Sequence, residues 1–310
     1  MESKELRVVY TQTLIDLARA NHNIVVLEAD LMNATGTGDF KKAFPDRLID
    51  VGVAEANMLG VASGLSATGK IPFAATFGCF ASRRAFDQFF LSANYARLNV
   101  KLVGTDPGVT AAFNGGTHMP FEDLALMRVV PGLKIVEPSD PVSCAAFVKM
   151  AAEYEGCVYI RLQRKAAPCL YKDGDKFEWG KGKLLREGKD VTIVALGCVM
   201  VGEALKAAEQ LEATGLSASV IDALSLKPLD KELILAQAKK TGRVIACENA
   251  QHDNGLGSAV AEVLAENSFG GKFARIGVMD EFGEVGTLDY LKERYGLTAA
   301  NIVKTAKGFF

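Results

Sequence analysis

Short runs of apolar and β-branched residues alternate with longer stretches in which apolar positions recur every three or four residues. The first such stretch predicts a helix over Lys4–Ala20, with Leu6, Leu14, Leu17 and Ala18 on its inner side. A strand follows at Ile24–Glu28, then a Gly/Thr-rich loop at Ala34–Gly38 and a short strand at Leu48–Val51. Met58, Val61, Ala62 and Leu65 give helical spacing to Glu55–Thr68. Further strands are predicted at Pro72–Thr76, Val100–Thr105, Leu133–Val136 and Val158–Leu162, and a helix at Pro141–Tyr154. Strands that are apolar throughout, and separated by helices, belong to a parallel sheet covered on both faces.

The period fails between about Lys165 and Lys189, where Ala166-Ala167-Pro168, Lys172-Asp173-Gly174-Asp175-Lys176 and Trp179-Gly180-Lys181-Gly182 supply turn residues and charges. A second alternating unit then begins, with strands at Val191–Leu196, Ala218–Ile221, Arg243–Cys247 and Phe273–Ile276. Its helices are predicted at Val201–Thr214, Asp230–Lys239, Gly257–Glu266 and Ala299–Lys307. The pattern predicts an α/β protein of two domains, each a mainly parallel sheet flanked by helices. The first domain covers residues 1–170, a linker 171–189 and the second domain 190–310.

Composition narrows the function. Hydrophobic residues are 49% and charged residues 23%, which excludes a disordered or collagen-like chain. Lys+Arg total 35 against 37 Asp+Glu, so no global field draws in nucleic acid or anionic lipid, and any bound anion must be held locally. Met1-Glu2-Ser3-Lys4-Glu5 has no apolar core behind a basic start, and no apolar run approaches the roughly 18 residues of a spanning helix. The six cysteines are scattered without a C-x-x-C pair, and are expected as reduced, buried thiols of a cytoplasmic protein. Three histidines do not make a His-rich metal site, and no metal ligands are assigned to this chain.

Phosphate loops are missing. No G-x-x-x-x-G-K-[ST] occurs, and Gly36-Thr37-Gly38 and Gly255-Leu256-Gly257 read as turns. Glu55 sits at a strand–loop–helix junction, where open α/β sheets place ligands; it also suits a helix N-terminus for dipole reasons alone. His118 lies in the Gly-rich loop Asn114–Pro120, again after a strand, where backbone and side chains can approach a ligand. Phe77 and Phe80 follow a strand with core spacing. Arg161 and Arg164 end another strand, as solvated cations or as contacts to an anionic substrate.

The order of these pieces is more specific than any one of them. Val51-Gly52-Val53-Ala54-Glu55-Ala56-Asn57-Met58-Leu59-Gly60, Ala75-Thr76-Phe77-Gly78-Cys79-Phe80, Gly115-Gly116-Thr117-His118 and Tyr159-Ile160-Arg161-Leu162-Gln163-Arg164 together resemble the C-terminal half of transketolase. Lys189–Ile193, Leu226-Lys227-Pro228-Leu229-Asp230 and Gly255–Val260 look like that family's last domain, so the resemblance spans the chain. It implies a pyrimidine-binding thiamine diphosphate domain followed by a transketolase C-terminal domain. Glu55 would be the cofactor-activating glutamate: hydrogen-bonded to the aminopyrimidine ring, it favours the tautomer that removes the thiazolium proton. Phe77 and Phe80 would pack on the pyrimidine. His118 would contact substrate hydroxyls and shuttle protons, and Arg7 and Arg164 would grip the phosphate end of a sugar.

The family's G-D-G motif, which binds diphosphate through Mg²⁺, is absent from the sequence. The resemblance therefore implies the C-terminal subunit of a split transketolase, active in a heterotetramer with an N-terminal partner that holds most of the Mg²⁺ site. The reaction implied is transfer of a two-carbon ketol unit from a ketose or ketose phosphate to an aldose. The substrate-binding positions depart from the family: Asp106 replaces a histidine, Phe113-Asn114 replaces Glu-Asp, and Ala34 replaces a serine counted from Asp30. An acidic residue beside a phosphate repels it, so an altered sugar tail is expected. The alternatives are the beta subunit of a 2-oxo acid dehydrogenase and a non-catalytic relative of the enzyme.

Overall fold

The structure, a computed structural model, describes residues 3–310; Met1 and Glu2, at the start of the predicted first domain, lie outside the described residues. Seven strands form the larger sheet, in the order Ser225–Lys227, Lys134–Val136, Val158–Leu162, Lys101–Thr105, Ile71–Phe77, Ile24–Glu28, Leu48–Asp50. All neighbours are parallel except the first pair. One face is covered by Leu6, Tyr10, Leu14, Phe40 and Phe147, the other by Met58, Leu59, Ala62 and Leu124, which explains why the central strands lack polar alternation.

Local chemistry sets the helix ends. Helix Pro141–Glu153 starts where Asp140 accepts from the Ser143 backbone N–H at 2.7 Å, Ser143 answers the Asp140 backbone N–H, and proline fills the first turn. Helix Leu6–Ala20 begins two residues later than its period predicts. Lys4–Glu5 instead pairs antiparallel with Ala166–Ala167 in a two-stranded ribbon. The predicted Gly/Thr-rich loop joins two short helices, Met32–Thr35 and Gly38–Ala43, and overlaps their ends. They are tied down by the Thr35 and Thr37 hydroxyls, each donating at 2.7 Å to buried Glu28.

The second sheet runs Lys272–Val278, Arg243–Gln251, Val191–Ala195, Ala218–Asp222, Lys183–Arg186. The last strand comes from the stretch read as a linker and pairs antiparallel with Ala218–Asp222. Trp179, from the same stretch, packs on Phe147 and Tyr154 of the first domain at 5.8 and 5.7 Å between ring centroids. Ser225–Lys227 crosses the other way: it follows the second domain's strand Ala218–Asp222 but forms an edge of the first sheet. There Lys227 Nζ also donates to the carbonyls of Arg128 and Val130.

Arg161 joins the two domains from inside. Its side chain is fully buried, pairing with Asp123 at 2.7 Å and Glu137 at 2.9 Å and donating to the carbonyls of Pro120 and Asn249. It is therefore neither a solvated cation nor a contact for an anionic substrate, correcting both sequence readings. Gly255 and Gly257 also have a structural use. Glu248 accepts from the Leu256 and Gly257 N–H groups at 2.7 Å each, so the protein's own carboxylate caps helix Leu256–Glu266. A Cβ at Gly255 would lie 1.8 Å from that carboxylate. Cys79, Cys144, Cys157 and Cys247 are buried, whereas Cys169 and Cys198 are partly exposed. No helix among the described residues is long and apolar enough to cross a membrane.

Candidate active site

The first domain's parallel strands deliver residues to one end of the sheet. Strand Ile71–Phe77 ends at Phe77, 7% exposed, and helix Gly78–Arg83 starts at once. Gly78 permits this turn, since a Cβ there would press on Pro120 at 3.0 Å and the Thr105 carbonyl at 3.3 Å. Phe80, one turn into the helix, lies 6.0 Å from Phe77 between ring centroids. After strand Leu48–Asp50, Asp50 accepts from the Asp30 and Gly52 N–H groups at 3.0 Å and shapes the turn that leads into helix Glu55–Ala67. Glu55 heads that helix with only 4% exposure.

Arg84, which the sequence reading did not single out, completes this end of the site. It donates to the two Glu55 oxygens at 3.1 and 3.4 Å, while its guanidinium lies 4.0 Å from the centroid of the Phe80 ring. Phe80 and Arg84 are four apart, the spacing at which helical neighbours meet; that was the available signal. A planar N–H donor thus sits between a buried carboxylate and an aromatic face. An aminopyrimidine makes contacts of the same kind, so the residues fit thiamine diphosphate's ring.

His118 stands against both aromatics, edge-on to Phe77 at 5.8 Å and to Phe80 at 5.2 Å. Its Nδ1 lies 2.9 Å from the Thr117 hydroxyl. Desolvation, reinforced by the charges of Arg84 and Arg83, lowers its pKa, which favours the neutral ring. The second domain holds its loop. Asn249 accepts from the Val109 N–H and donates to the Pro107 carbonyl, both at 2.9 Å. Gly116 lies so close to Gly283 that a Cβ would be 2.0 Å from the Gly283 carbonyl oxygen. Arg83, also not singled out from sequence, donates to the Thr117 carbonyl at 2.6 Å and pairs with Glu122.

The predicted substrate-binding residues divide. Arg164 is close, its guanidinium 5.5 Å from the Phe77 centroid, and it pairs with Asp106 at 2.7 Å. Asp106 is 1% exposed, and burial raises its pKa to about 6 despite Arg164. Arg7 is beside Arg164 through the backbone, its N–H donating to the Arg164 carbonyl at 3.4 Å. The Arg7 side chain pairs with Glu5 at 2.8 Å and donates to the carbonyls of Asn33 and Ala34. Asn114 and Phe113, in contrast, are exposed, with Phe113 at 72%. Among the described residues no group of three or more His, Cys, Asp or Glu could hold a metal ion.

Residues 2–168 match the family model "Transketolase, pyrimidine binding domain" and residues 180–302 match "Transketolase, C-terminal domain". The chain is 51% identical to "6-deoxy-6-sulfo-D-fructose transketolase subunit SqwH" of Clostridium sp. (strain MSTE9), over 99% of this chain and 94% of that protein. It is 42% identical to "Putative transketolase C-terminal section" of Methanocaldococcus jannaschii, over 97% of this chain and 95% of that protein. Among solved structures, "Split gene transketolase, inactive beta4 tetramer" superposes with a TM-score of 0.90 and 47% identity, covering 99% of this chain and 98% of that one.

Proposed function

The chain belongs to the transketolase family, and on that premise we propose that it is the C-terminal subunit of a two-chain, thiamine diphosphate-dependent transketolase whose donor is a ketose with a sulfonate tail. The observation that carries the reading is the setting of Glu55: a buried carboxylate that contacts a planar N–H donor, Arg84, which itself lies over the Phe80 ring of the Phe77–Phe80 pair. Thiamine diphosphate, when bound, supplies the electron sink that lets a two-carbon ketol unit leave one sugar and join another. Glu55 would hold the aminopyrimidine by a hydrogen bond and set its protonation. Phe77 and Phe80 would orient the ring and exclude water at the face that Arg84 now covers on Phe80. Neutral His118, held by its contact with the Thr117 hydroxyl, can donate a proton to or take one from a substrate hydroxyl.

The partner subunit supplies the diphosphate and Mg²⁺ site, and the active complex is a heterotetramer. Support comes from the structural relative described as an inactive beta4 tetramer of a split-gene transketolase. Support for the sulfonate comes from the Clostridium relative and from the acidic residue in the tail pocket.

The test titrates thiamine diphosphate and Mg²⁺ by calorimetry into this chain, with and without its large subunit, followed by assays with 6-deoxy-6-sulfo-D-fructose. Tight, metal-dependent binding in the mixture alone, with ketol transfer, is expected. Tight binding by this chain alone would overturn the division of labour between the subunits.

A further inference from the structure

The far end of the pocket carries a charge balance that the cofactor end does not require. The ribbon of Lys4–Glu5 with Ala166–Ala167 sets the backbones of Arg7 and Arg164 side by side, so two permanent cations are carried on neighbouring segments. Each already has a carboxylate: Glu5 lies 2.8 Å from Arg7 Nε, and Asp106 lies 2.7 Å from Arg164 Nε. The formal charge of these four groups is zero. Arg7 also spends Nη1 on the Asn33 and Ala34 carbonyls, which reduces the donors it can offer a ligand. Lys165, the other cation acting on Asp106, is exposed and therefore screened by water.

The two carboxylates differ in reach. Glu5 is 39% exposed, so solvent screens it; Asp106 is 1% exposed and its partner Arg164 only 16%, so their interaction is little screened. A ligand tail at Arg164 meets a cation whose charge is largely cancelled by a neighbour that cannot be washed out. A phosphate monoester carries about two negative charges near neutral pH and a sulfonate one, although both present three acceptor oxygens. Desolvating the second charge without a cation to meet it is costly.

We infer that Asp106 is a specificity residue: by holding Arg164 in a buried ion pair, it makes the tail pocket favour a singly charged tetrahedral anion, a sulfonate, over a phosphate dianion. The inference rests on the proposed transketolase reading and asks which charge that site tolerates. Asp106 has φ +58°, a conformation that asparagine adopts more readily than most residues, so Asp106→Asn removes the charge while keeping size and backbone.

The experiment uses the assembled two-subunit enzyme above pH 7.5, where the phosphate is doubly charged. It compares kcat/KM for 6-deoxy-6-sulfo-D-fructose and for fructose 6-phosphate in the wild type and in Asp106→Asn. The phosphate-to-sulfonate ratio should rise about tenfold or more, mainly through a lower KM for the phosphate; tenfold corresponds to about 1.4 kcal/mol. Glu5→Gln, at a partly exposed position, guards against a folding defect and should move the ratio in the same direction by a smaller factor. An unchanged ratio in both variants, with both sugars turned over, overturns the inference and leaves the transketolase reading standing. No ketol transfer from either sugar by the assembled wild-type enzyme overturns the reading itself, and the inference with it.

Discussion

Arg161 and Arg164 are three residues apart at the end of one strand, and in the sequence they look like one feature. Their surroundings make them opposites. Arg161 faces inward between the domains, where Asp123, Glu137 and two carbonyls use its donors. Arg164 lies beyond the strand's end, half-buried, with Phe77 beside it and one carboxylate partner. In the first region charge holds the fold together; in the second it borders the proposed substrate site. A buried arginine therefore indicates function only after its donors have been counted.

That contrast can be broken by mutation. Arg161→Met leaves Asp123 and Glu137 buried without their cation, and should cost about 3–5 kcal/mol of stability, read from the urea midpoint of the purified chain. Arg164→Gln should cost clearly less, because Arg164 is partly exposed and leaves a single carboxylate, Asp106, without its partner. Equal losses in the two variants would erase the distinction. Glu55→Gln tests the pocket side from the opposite direction: turnover of the assembled enzyme should fall at least about 100-fold while the melting temperature of the chain stays nearly unchanged. Wild-type activity in this variant would remove Glu55 from the chemistry.

Asn249→Ala sharpens the comparison, because Asn249 serves both regions: its carbonyl meets Arg161 and its side chain fixes the loop that leads to His118. Leaving the Val109 N–H and the Pro107 carbonyl without it should cost about 1–3 kcal/mol and also lower kcat, by stopped assay of the complex. The smallest effect concerns pH. Asp106 keeps its proton to about pH 6 in the folded chain, whereas an unfolded aspartate releases it near 4. The folded state therefore binds more protons between those values. The stability of wild type relative to Asp106→Asn should be highest below about pH 4, decline as pH rises through 6, and level off above. Urea midpoints across that range check the sign.

The sequence showed most of the fold because its strands are apolar on both faces. Ile24–Glu28, Val158–Leu162 and helix Ala299–Lys307 fall where the pattern put them. Lys183–Arg186 escaped notice because every residue in it is only partly buried, so it lacks the apolar run of its neighbours. Ser225–Lys227 is three residues long with a distant partner, and no period can announce that. In the candidate site, Glu55, Phe77, Phe80 and His118 were legible through their order along the chain; the structure brings Phe77, Phe80 and His118 into ring contact and links Glu55 to Phe80 through Arg84. Arg84 was not, since its meaning comes from meeting Glu55 across two elements. Asp106 could be seen as a departure, but its pairing with Arg164 joins the ends of adjacent parallel strands and required the fold.

The short strand Ser225–Lys227 has a consequence for how such chains can be recombined. A chimera of two relatives, joined at the composition break near residue 180, would take the edge strand from one parent and its hydrogen-bonding neighbour Lys134–Val136 from the other. It would divide Arg161 from Asn249 in the same way. Gene shuffling at this junction inherits mismatched seams. Productive hybrids will be those whose parents agree at these contacts, even where the rest of their surfaces have drifted apart.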